Sequence, residues 1–329
     1  MTSTTRLDRA TGAMLGLAVG DALGAPDEFQ PPQRLTLTGT ATDMTGGGQF
    51  QWKPGEWTDD TSMAIPILRA VADGLDLLAP ATQDRIVTQW RDWALTANDV
   101  GIQTRRVLAA LREPTAEHAR IEAYLVHEEA GRSGGNGSLM RTAPVALAHL
   151  GRDDPHAVAA TARALSDLTH FEDDAGDACA LWTVGIWQAV RTGRVSMADA
   201  VATLPHARRQ RWEQLVAQAE AGVPGDFVNN GWVVHALQAA WSAITRAGLD
   251  PADPATHTTE AFRTALERAI NAGSDTDTVA AITGMLVGAM VGAEAIPVGW
   301  LERLQGWPGL EAQGLADLVA QAHAHVANQ

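Results

Sequence analysis

The chain has 329 residues, 46% of them hydrophobic and 19% charged, so it is long enough to bury a large core. Its formal net charge of −15 argues against an extended nucleic-acid surface, because neutralising phosphates requires a basic footprint. Its only cysteine, Cys179, excludes an intramolecular disulfide, and the N-terminus lacks the apolar core of a signal peptide. The apolar run at residues 279–293 is shorter than a membrane span, which takes about 20 residues. We therefore expect a cytoplasmic protein without a membrane partner.

Apolar residues recur at helical spacing along most of the chain, and no alternation indicates a strand. Glycine and proline separate these stretches, and neither a fixed-period repeat nor a linker divides the chain. We predict an all-α fold, a single compact multi-helix domain spanning residues 1–329, and a monomer. The predicted helices cover residues 7–23, 62–77, 81–96, 104–111, 115–129, 155–168, 177–191, 195–204, 206–221, 230–246, 257–272, 278–293 and 314–327.

The first predicted helix carries glycines at positions 12, 16, 20 and 24. The helix at 278–293 carries three more with the same spacing, at 284, 288 and 292. Glycine costs a helix about 1 kcal/mol per position relative to alanine, so two such stripes indicate that another backbone approaches closely. We expect these two helices to pack against each other at the centre of the molecule. Contact of each stripe with some other helix is the alternative.

The acidic segment Thr58-Asp59-Asp60 follows a glycine-containing loop, residues 26–57, and precedes a predicted helix. Thr and Asp favour helix starts, and Pro66 fits a first turn, so the segment could simply cap the helix. One cap needs one such side chain, however, and residues 58–62 offer five. The stretch at 52–57 just before it, which contains two tryptophans, could form a lid or pack as an ordinary loop, and we favour packing.

Two glycine-rich loops lie in the middle of the chain, where backbone can approach a ligand or turn sharply. The loop GRSGGNG covers residues 131–137, and a second loop covers 222–231, for which we favour a plain surface connection. The acidic stretch Glu172-Asp173-Asp174 has the composition of a solvent-exposed helix start.

A second acidic segment, Asp275-Thr276-Asp277-Thr278, precedes the apolar helix near the C-terminal end. Alternate side chains of this segment can converge on one side of an extended turn, with Thr276 pointing away. If the central helices pair as expected, Asp21 and Glu28 come within reach of it. Carboxylates from both acidic segments would then need a cation, and all-oxygen ligands suit Mg²⁺, Mn²⁺ or Ca²⁺. The two segments together offer six oxygen ligands, from Thr58, Asp59, Asp60, Asp275, Asp277 and Thr278. Six are too many for one hydrated Mg²⁺ and suit two ions about 3.5–4 Å apart.

Five blocks of the chain resemble, in order, those of the ADP-ribosylglycohydrolases, the relatives of dinitrogenase reductase-activating glycohydrolase. The blocks are GAMLGLAVGDALGAPDEF (12–29), GEWTDDTSM (55–63), GGNGSLMRTAPVAL (134–147), LTH (168–170) and GSDTDTVAAITGMLVGAMVG (273–292). The resemblance implies an all-α hydrolase with two Mg²⁺ or Mn²⁺ ions. Its substrate would be ADP-ribose or an ADP-ribosylated protein, cleaved at C1″ of ADP-ribose attached to an acceptor, arginine in the first place.

The resemblance also assigns individual residues. It implies Thr58, Asp59, Asp60, Asp275, Asp277 and Thr278 as metal ligands, with Asp277 bridging the ions. Glu28 would lie at the metal centre or the attacking water, so the catalytic set is Glu28, Asp60 and Asp277, whereas Asp21 is better explained as a packing carboxylate. The ADP-ribose contacts would be Ser133, Gly135, Asn136, Gly137 and His170.

Two further assignments stay open between a site role and a structural one. Asp99, in NDVGIQT, matches a family segment on the acceptor side, where a carboxylate could hold a guanidinium bidentately, but it equally suits a helix start. Arg141 could be a phosphate ligand or a buried structural partner. For the whole protein, the alternatives are a hydrolase of another ADP-ribose conjugate or nucleotide-sugar, and a non-catalytic ADP-ribose-binding relative.

Overall fold

The helical periodicity of the sequence corresponds to helices in the structure. The computed structural model describes residues 3–327, and every stretch predicted to be helical contains a helix. The fifteen α-helices of this part of the chain are α1 (Ser3–Gly24), α2 (Asp59–Ala72), α3 (Pro80–Ala94), α4 (Ile102–Ala110), α5 (Ala116–Ala130), α6 (Ala143–Ala148), α7 (Pro155–Ser166), α8 (Asp173–Thr192), α9 (Met197–Ala202), α10 (His206–Ala221), α11 (Val233–Thr245), α12 (Thr259–Asn271), α13 (Thr276–Val291), α14 (Val298–Leu301) and α15 (Ala312–Ala327). The all-α prediction is confirmed.

The structure adds short elements that periodicity does not reveal. Helices α6 and α14 have 6 and 4 residues, too few to show a repeating apolar face. A two-stranded antiparallel hairpin joins β1 (Gln305–Gly306) to β2 (Leu310–Glu311), with Gln305 opposite Glu311. Strands of two residues are likewise too short to alternate visibly. None of the helices described is long and apolar enough to cross a membrane.

Helix α2 begins earlier than its sequence suggests. It starts at Asp59, so Pro66 lies inside the helix and not in the first turn, and the expectation for this proline is wrong. The helix also ends at Ala72, five residues before the predicted 77, because the chain turns through the left-handed conformation at Gly74 (φ +71°). Both acidic residues of the first segment therefore belong to the first turn of α2.

Helices α1 and α13 pack backbone against backbone, as the glycine stripes predict. A methyl group at Gly16 would lie 2.2 Å from the Gly284 carbonyl oxygen, and one at Gly284 would lie 2.0 Å from that of Gly16. At Gly20 the obstacle would be the Ala280 carbonyl oxygen, at 2.1 Å. No side chain larger than hydrogen fits these positions, so the glycines set the distance between the two helices.

This helix pair forms the centre of the fold. Helices α8, α11 and α12 pack against α13, while α15 packs against α1 and α2. One continuous hydrophobic core includes residues from Ala10 in α1 to Val326 in α15. The ends of α1 and α13 that matter for function are therefore held by the most deeply buried part of the molecule.

The substitution Gly16→Ala should destabilise the protein by at least about 3 kcal/mol, because the methyl group meets backbone that cannot rotate away. Gly185→Ala in α8 is the matched control, since a methyl there would meet only side chains at 3.6 Å or more. Replacing that helical glycine should stabilise the protein by up to about 1 kcal/mol. Chemical denaturation of both variants measures the difference. Equal unfolding free energies would contradict the close packing of α1 and α13.

Candidate active site

The two acidic segments meet at the N-terminal ends of α2 and α13, next to the residues that follow α1. Carboxylate oxygens of Glu28, Asp275 and Asp277 all lie within 4.8 Å of one another. Asp59 and Asp60 lie close to these three, since the charge of Asp59 acts on Glu28 and that of Asp60 acts on Asp277. The convergence expected from the sequence is therefore present in the structure.

Asp21 on α1 holds the first acidic segment in place through hydrogen bonds. Its carboxylate accepts hydrogen bonds from the backbone amides of Thr58 (2.8 Å) and Thr61 (3.0 Å) and from the Thr61 hydroxyl (2.6 Å). These bonds satisfy the start of α2, and Thr58 makes no side-chain capping bond of its own. The segment does start α2, with Thr58 at the N-cap, but the expectation that its own side chains cap the helix is wrong, because Asp21 on α1 supplies those bonds. The interpretation of Asp21 as a packing carboxylate is confirmed.

The second acidic segment is held by three separate contacts. The Thr276 hydroxyl turns away, as predicted, and donates to the Gly24 carbonyl oxygen at 2.8 Å. The Phe29 amide donates to the Ser274 carbonyl (2.6 Å), and the Ser274 amide donates to the Gln30 carbonyl (2.8 Å). These bonds tie the chain after α1 to the turn before α13. They place Glu28 beside Asp275.

Asn230 is a site residue that sequence reasoning missed. It is buried, its Oδ1 accepts from the Asp275 amide (3.1 Å), and its Nδ2 donates to the Gly273 carbonyl (2.9 Å). The assignment of residues 222–231 as a plain surface connection is therefore wrong at its end. Nothing local marks Asn230, because the preceding Asn229 is equally polar yet exposed.

Burial and mutual repulsion raise the pKa values of the clustered carboxyls. Burial, followed by the charges of Asp275, Asp99 and Asp59, raises the pKa of Glu28 to about 9. Burial and the charge of Asp99 raise the pKa of Asp59 to about 8. For Asp60 and Asp277, burial again comes first and neighbouring carboxylates second, and both pKa values lie well above the ordinary range.

The cluster fits divalent cations by its donors and by the state of its oxygens. All six candidate ligands carry side-chain oxygens, which hard ions prefer. Glu28 Oε2 and Asp60 Oδ1 are buried without a hydrogen-bond partner among the residues described. Buried anionic oxygens are normally paired or bound to metal. A cation at this place would remove both the repulsion and the missing partners.

A cavity of about 720 Å³ opens next to the cluster. Its lining includes the acids Glu28, Asp59, Asp99, Asp275 and Asp277 with Thr278, and also Gly135, Asn136, Gly137 and His170. Arg106 and Arg132 line it as well, although the sequence did not single them out. Asn136 joins the glycine loop to the acids, because its Nδ2 donates to Asp275 Oδ2 at 2.8 Å.

His170 lies behind the glycines of this loop. A methyl group on Gly137 would lie 3.1 Å from the imidazole Cε1, and one on Gly135 would lie 3.3 Å from Nε2. The other ring nitrogen, Nδ1, pairs with the Thr169 hydroxyl at 2.7 Å. Burial, and next the charge of Arg141, lower the pKa of His170 to about 3. The ring is therefore neutral at physiological pH.

Ser133 holds the glycine loop from outside the cavity. Its amide donates to Glu172 Oε2 at 2.6 Å, its hydroxyl contacts His127 Nδ1 at 2.9 Å, and its carbonyl accepts from Gln103 Nε2 at 3.0 Å. Unlike Gly135, Asn136 and Gly137, it is absent from the described lining of the cavity. In the structure, Ser133 therefore connects the glycine loop to Glu172, His127 and Gln103.

The acidic stretch at 172–174 starts a helix, as predicted, but is not solvent-exposed throughout. Helix α8 begins at Asp173, directly after Glu172, which accepts the Ser133 amide. Asp174 is buried and pairs with Arg208 and with Arg211, whose Nη2 lies 2.6 Å from Asp174 Oδ2. The expectation of a solvated stretch is wrong for Asp174, because residues from α10 cover it.

The structure decides the assignment of Arg141 and excludes one alternative for Asp99. Arg141 is buried, stacks over the Trp90 ring at 4.0 Å and donates to the Thr169 hydroxyl at 2.8 Å, so it is a structural partner. Asp99 lines the cavity, and the residue that precedes α4 is Gly101, so Asp99 does not cap that helix. Burial, the largest cause, and the charge of Asp275 raise the pKa of Asp99.

Comparison with known proteins agrees with this geometry. The ADP-ribosylglycohydrolase family matches residues 2–328. A Pseudomonas putida protein named ADP-ribosylarginine hydrolase Tri1 is 30% identical, over 92% of this chain and 76% of that protein. A Rhodospirillum rubrum protein named ADP-ribosyl-[dinitrogen reductase] glycohydrolase is 31% identical, over 92% of each chain. A solved structure described as an ADP-ribosylglycohydrolase-related protein complex matches with a TM-score of 0.71 and 29% identity, covering 98% of this chain and 99% of that one.

The neutral state of His170 predicts a pH-dependent stability. Its pKa falls from the ordinary histidine value of 6.5 to about 3 on folding, so below pH 6.5 the unfolded chain binds a proton that the folded chain does not. The free energy of unfolding should therefore decrease as the pH is lowered below 6.5, by up to about 1.4 kcal/mol per pH unit from this residue alone. His170→Gln should remove that part of the slope in urea denaturation between pH 6.5 and 5. Identical slopes in the two proteins would contradict a neutral, buried imidazole.

Proposed function

The chain belongs to the ADP-ribosylglycohydrolase family and is a hydrolase, and from this premise we propose that it uses two divalent metal ions to cleave ADP-ribose from arginine residues of proteins. The bond broken would be the glycosidic bond at C1″, with free ADP-ribose as a product. The convergence of two oxygen-rich segments and Glu28 beside a glycine-lined cavity carries this proposal. Separate groups of residues would bind the metal, activate the water and hold the ADP-ribose.

The metal ligands would be Thr58, Asp59, Asp60, Asp275, Asp277 and Thr278, with Mg²⁺ or Mn²⁺ as the ions. Bound ions would act as Lewis acids and templates at the reacting sugar. Asp21 and Asn230 keep the backbone of each acidic segment in place, and Asn136 orients the Asp275 carboxylate. The chain thus presents its ligands on rigid helix ends, which limits the reorganisation needed during the reaction.

Glu28 is the group best placed to take a proton from the attacking water. It is buried at the metal cluster, lines the cavity, and has an oxygen, Oε2, without a partner among the residues described. With ions offsetting the neighbouring negative charges, its carboxylate would accept a proton as the water attacks C1″ and the bond from C1″ to the arginine nitrogen breaks, and that proton could then pass to the departing guanidine. Asp60 and Asp277 would hold the ions. In an ordinary glycosidase, the two catalytic carboxylates act directly on the substrate or on water. In this protein, most of the clustered carboxylates would instead bind metal.

The glycine loop and His170 would receive the ADP-ribose moiety. Because they lack side chains, Gly135 and Gly137 let the loop pack directly against the His170 ring. Neutral His170 adds no charge beside the ribose, whereas Arg132, together with Arg106 next to its ion pair with Glu129, supplies positive charge for the diphosphate in the same cavity. The arginine acceptor is supported by the names of the Pseudomonas putida and Rhodospirillum rubrum relatives. Asp99, on the rim, is the carboxylate that would face its guanidinium.

The first prediction of this proposal concerns metal and activity together. The protein should hydrolyse ADP-ribosylarginine, lose activity in EDTA and regain it with Mg²⁺ or Mn²⁺. Asp59→Ala and Asp277→Ala should each lower kcat at least about 100-fold, since residues that only orient ligands already contribute about 10–100-fold. Asp92→Ala is the matched control, because Asp92 is exposed on α3 with only a surface ion pair.

Product analysis and metal content separate this proposal from its rivals. Mass spectrometry should find two divalent ions per chain and free ADP-ribose as product. Activity that survives EDTA and both aspartate substitutions would refute the two-metal mechanism. Inactivity on arginine-, serine- and nucleoside-linked ADP-ribose, with metal bound, would indicate another nucleotide-sugar or a binding protein.

A second prediction tests the supporting role of Asn230. Asn230→Ala leaves the Asp275 amide and the Gly273 carbonyl without this partner, which should lower the free energy of unfolding by about 1–3 kcal/mol. Metal affinity should fall about 10–100-fold, as for other residues that orient ligands. Asn229→Ala, next to it and exposed, should change neither quantity. Calorimetric metal titration measures the affinity, and equal values for the two variants would argue against the role.

A further inference from the structure

A second cavity, of about 400 Å³, adjoins the active site. Its walls come from residues 52–57, the end of α3 with the following turn, and the hairpin β1–β2. We call it the hairpin cavity. It shares Asp59 and Asp99 with the cavity that holds the glycine loop, so the two cavities meet at the edge of the proposed metal centre.

The hairpin cavity is built by tertiary contacts and is not a chance gap between loops. The Gln305 amide donates to the Gly55 carbonyl (2.9 Å), and the Trp57 amide donates to the Gln305 carbonyl (3.0 Å). The Trp57 indole nitrogen donates to the Trp307 carbonyl at 3.1 Å. Trp57 is thereby buried as packing, which matches the interpretation favoured for its stretch.

Charge distinguishes the two cavities. Carboxylates of Glu56, Asp59, Asp99 and Glu311 line the hairpin cavity, and Lys53 is its only cation among the lining residues described. The cavity with the glycine loop carries two arginines, Arg132 and the Glu129-paired Arg106, and its acids are those of the proposed metal centre. With the proposed ions bound to those acids, that cavity would favour an anion, whereas the hairpin cavity keeps its excess of acids and favours a cation. ADP-ribose joined to a basic polypeptide has this polarity.

We propose that the hairpin cavity binds the acceptor polypeptide, a positively charged segment around the modified residue. This inference rests on the proposed function and names the partner surface beside it. The half-buried Trp307, whose ring centroid lies 6.5 Å from that of the buried Trp93, forms an apolar part of the wall, and the acids nearby can pair with the charges of Arg or Lys side chains. A second nucleotide would be repelled by the same acids. The bond to be cleaved would lie where the two cavities join.

The test compares two substrates in Glu311→Lys and in Glu302→Lys. Both glutamates are exposed, but only Glu311 lines the hairpin cavity, so the second variant controls for the change in net charge. One substrate is ADP-ribosylarginine as the free amino acid, and the other is a short basic peptide ADP-ribosylated on arginine. Glu311→Lys should raise KM for the peptide about fivefold or more, with KM for the free amino acid changed less than twofold. Glu302→Lys should leave both values unchanged.

A binding measurement separates failure of the inference from failure of the proposed function. Fluorescence anisotropy of the same basic peptide, labelled and unmodified, should show weaker binding to Glu311→Lys than to the wild type or Glu302→Lys. Equal binding to all three, or equal KM changes for both substrates, would overturn the assignment of this cavity. If the wild type hydrolyses neither substrate, the proposed function fails, and peptide binding that depends on Glu311 would still support the cavity as a docking site.

Discussion

The backbone contact between α1 and α13 is the constraint on which the rest of the structure depends. Four glycines on α1 and two on α13 let carbonyl oxygens of one helix rest where side chains of the other would normally stand. Such close packing fixes rotation as well as distance, because only the glycine faces can meet. It follows that Asp21 and Glu28 at one end of α1 must lie near Asp277 at the start of α13. The site is a consequence of how the two central helices fit.

The acids of the site are held together against their own repulsion. Burial and neighbouring charge raise the pKa of Glu28 to about 9 and of Asp59 to about 8, so the folded chain disfavours their ionised forms. Asp21 adds to this repulsion, most of all at Asp60, but its carboxylate also accepts hydrogen bonds from Thr58 and Thr61 at the start of α2. Asp60 Oδ1 has no hydrogen-bond partner among the residues described. Asp21 therefore stabilises the helix start that carries Asp59 and Asp60, at the cost of bringing a further negative charge to them.

The sequence was sufficient to predict structural features that repeat along the chain or depend on neighbouring residues. Periodicity located the long helices, and the glycine spacing predicted the α1–α13 contact, because both patterns depend on neighbours within one helix. It failed where a role depends on residues far along the chain. Asn230 acquires its role only from Gly273 and Asp275, and Asp174 is buried only because Arg208 and Arg211 arrive from α10. The hairpin at 305–311 was missed because two-residue strands carry no pattern.

The division of charge between the two cavities bears on how one site could serve both halves of a substrate. Attraction for a diphosphate would come from Arg132 of the glycine loop and from Arg106, with the proposed ions offsetting the acids of the same cavity. On the other side of Asp59 and Asp99 no ion is proposed, so Glu56 and Glu311, facing a single lysine among the lining residues described, leave an excess of negative charge. A bound substrate would thus be oriented before its reacting bond reaches the acids, since each end would be repelled from the wrong cavity. Orientation of this kind needs no movement of the central helices, whose glycine contact permits little.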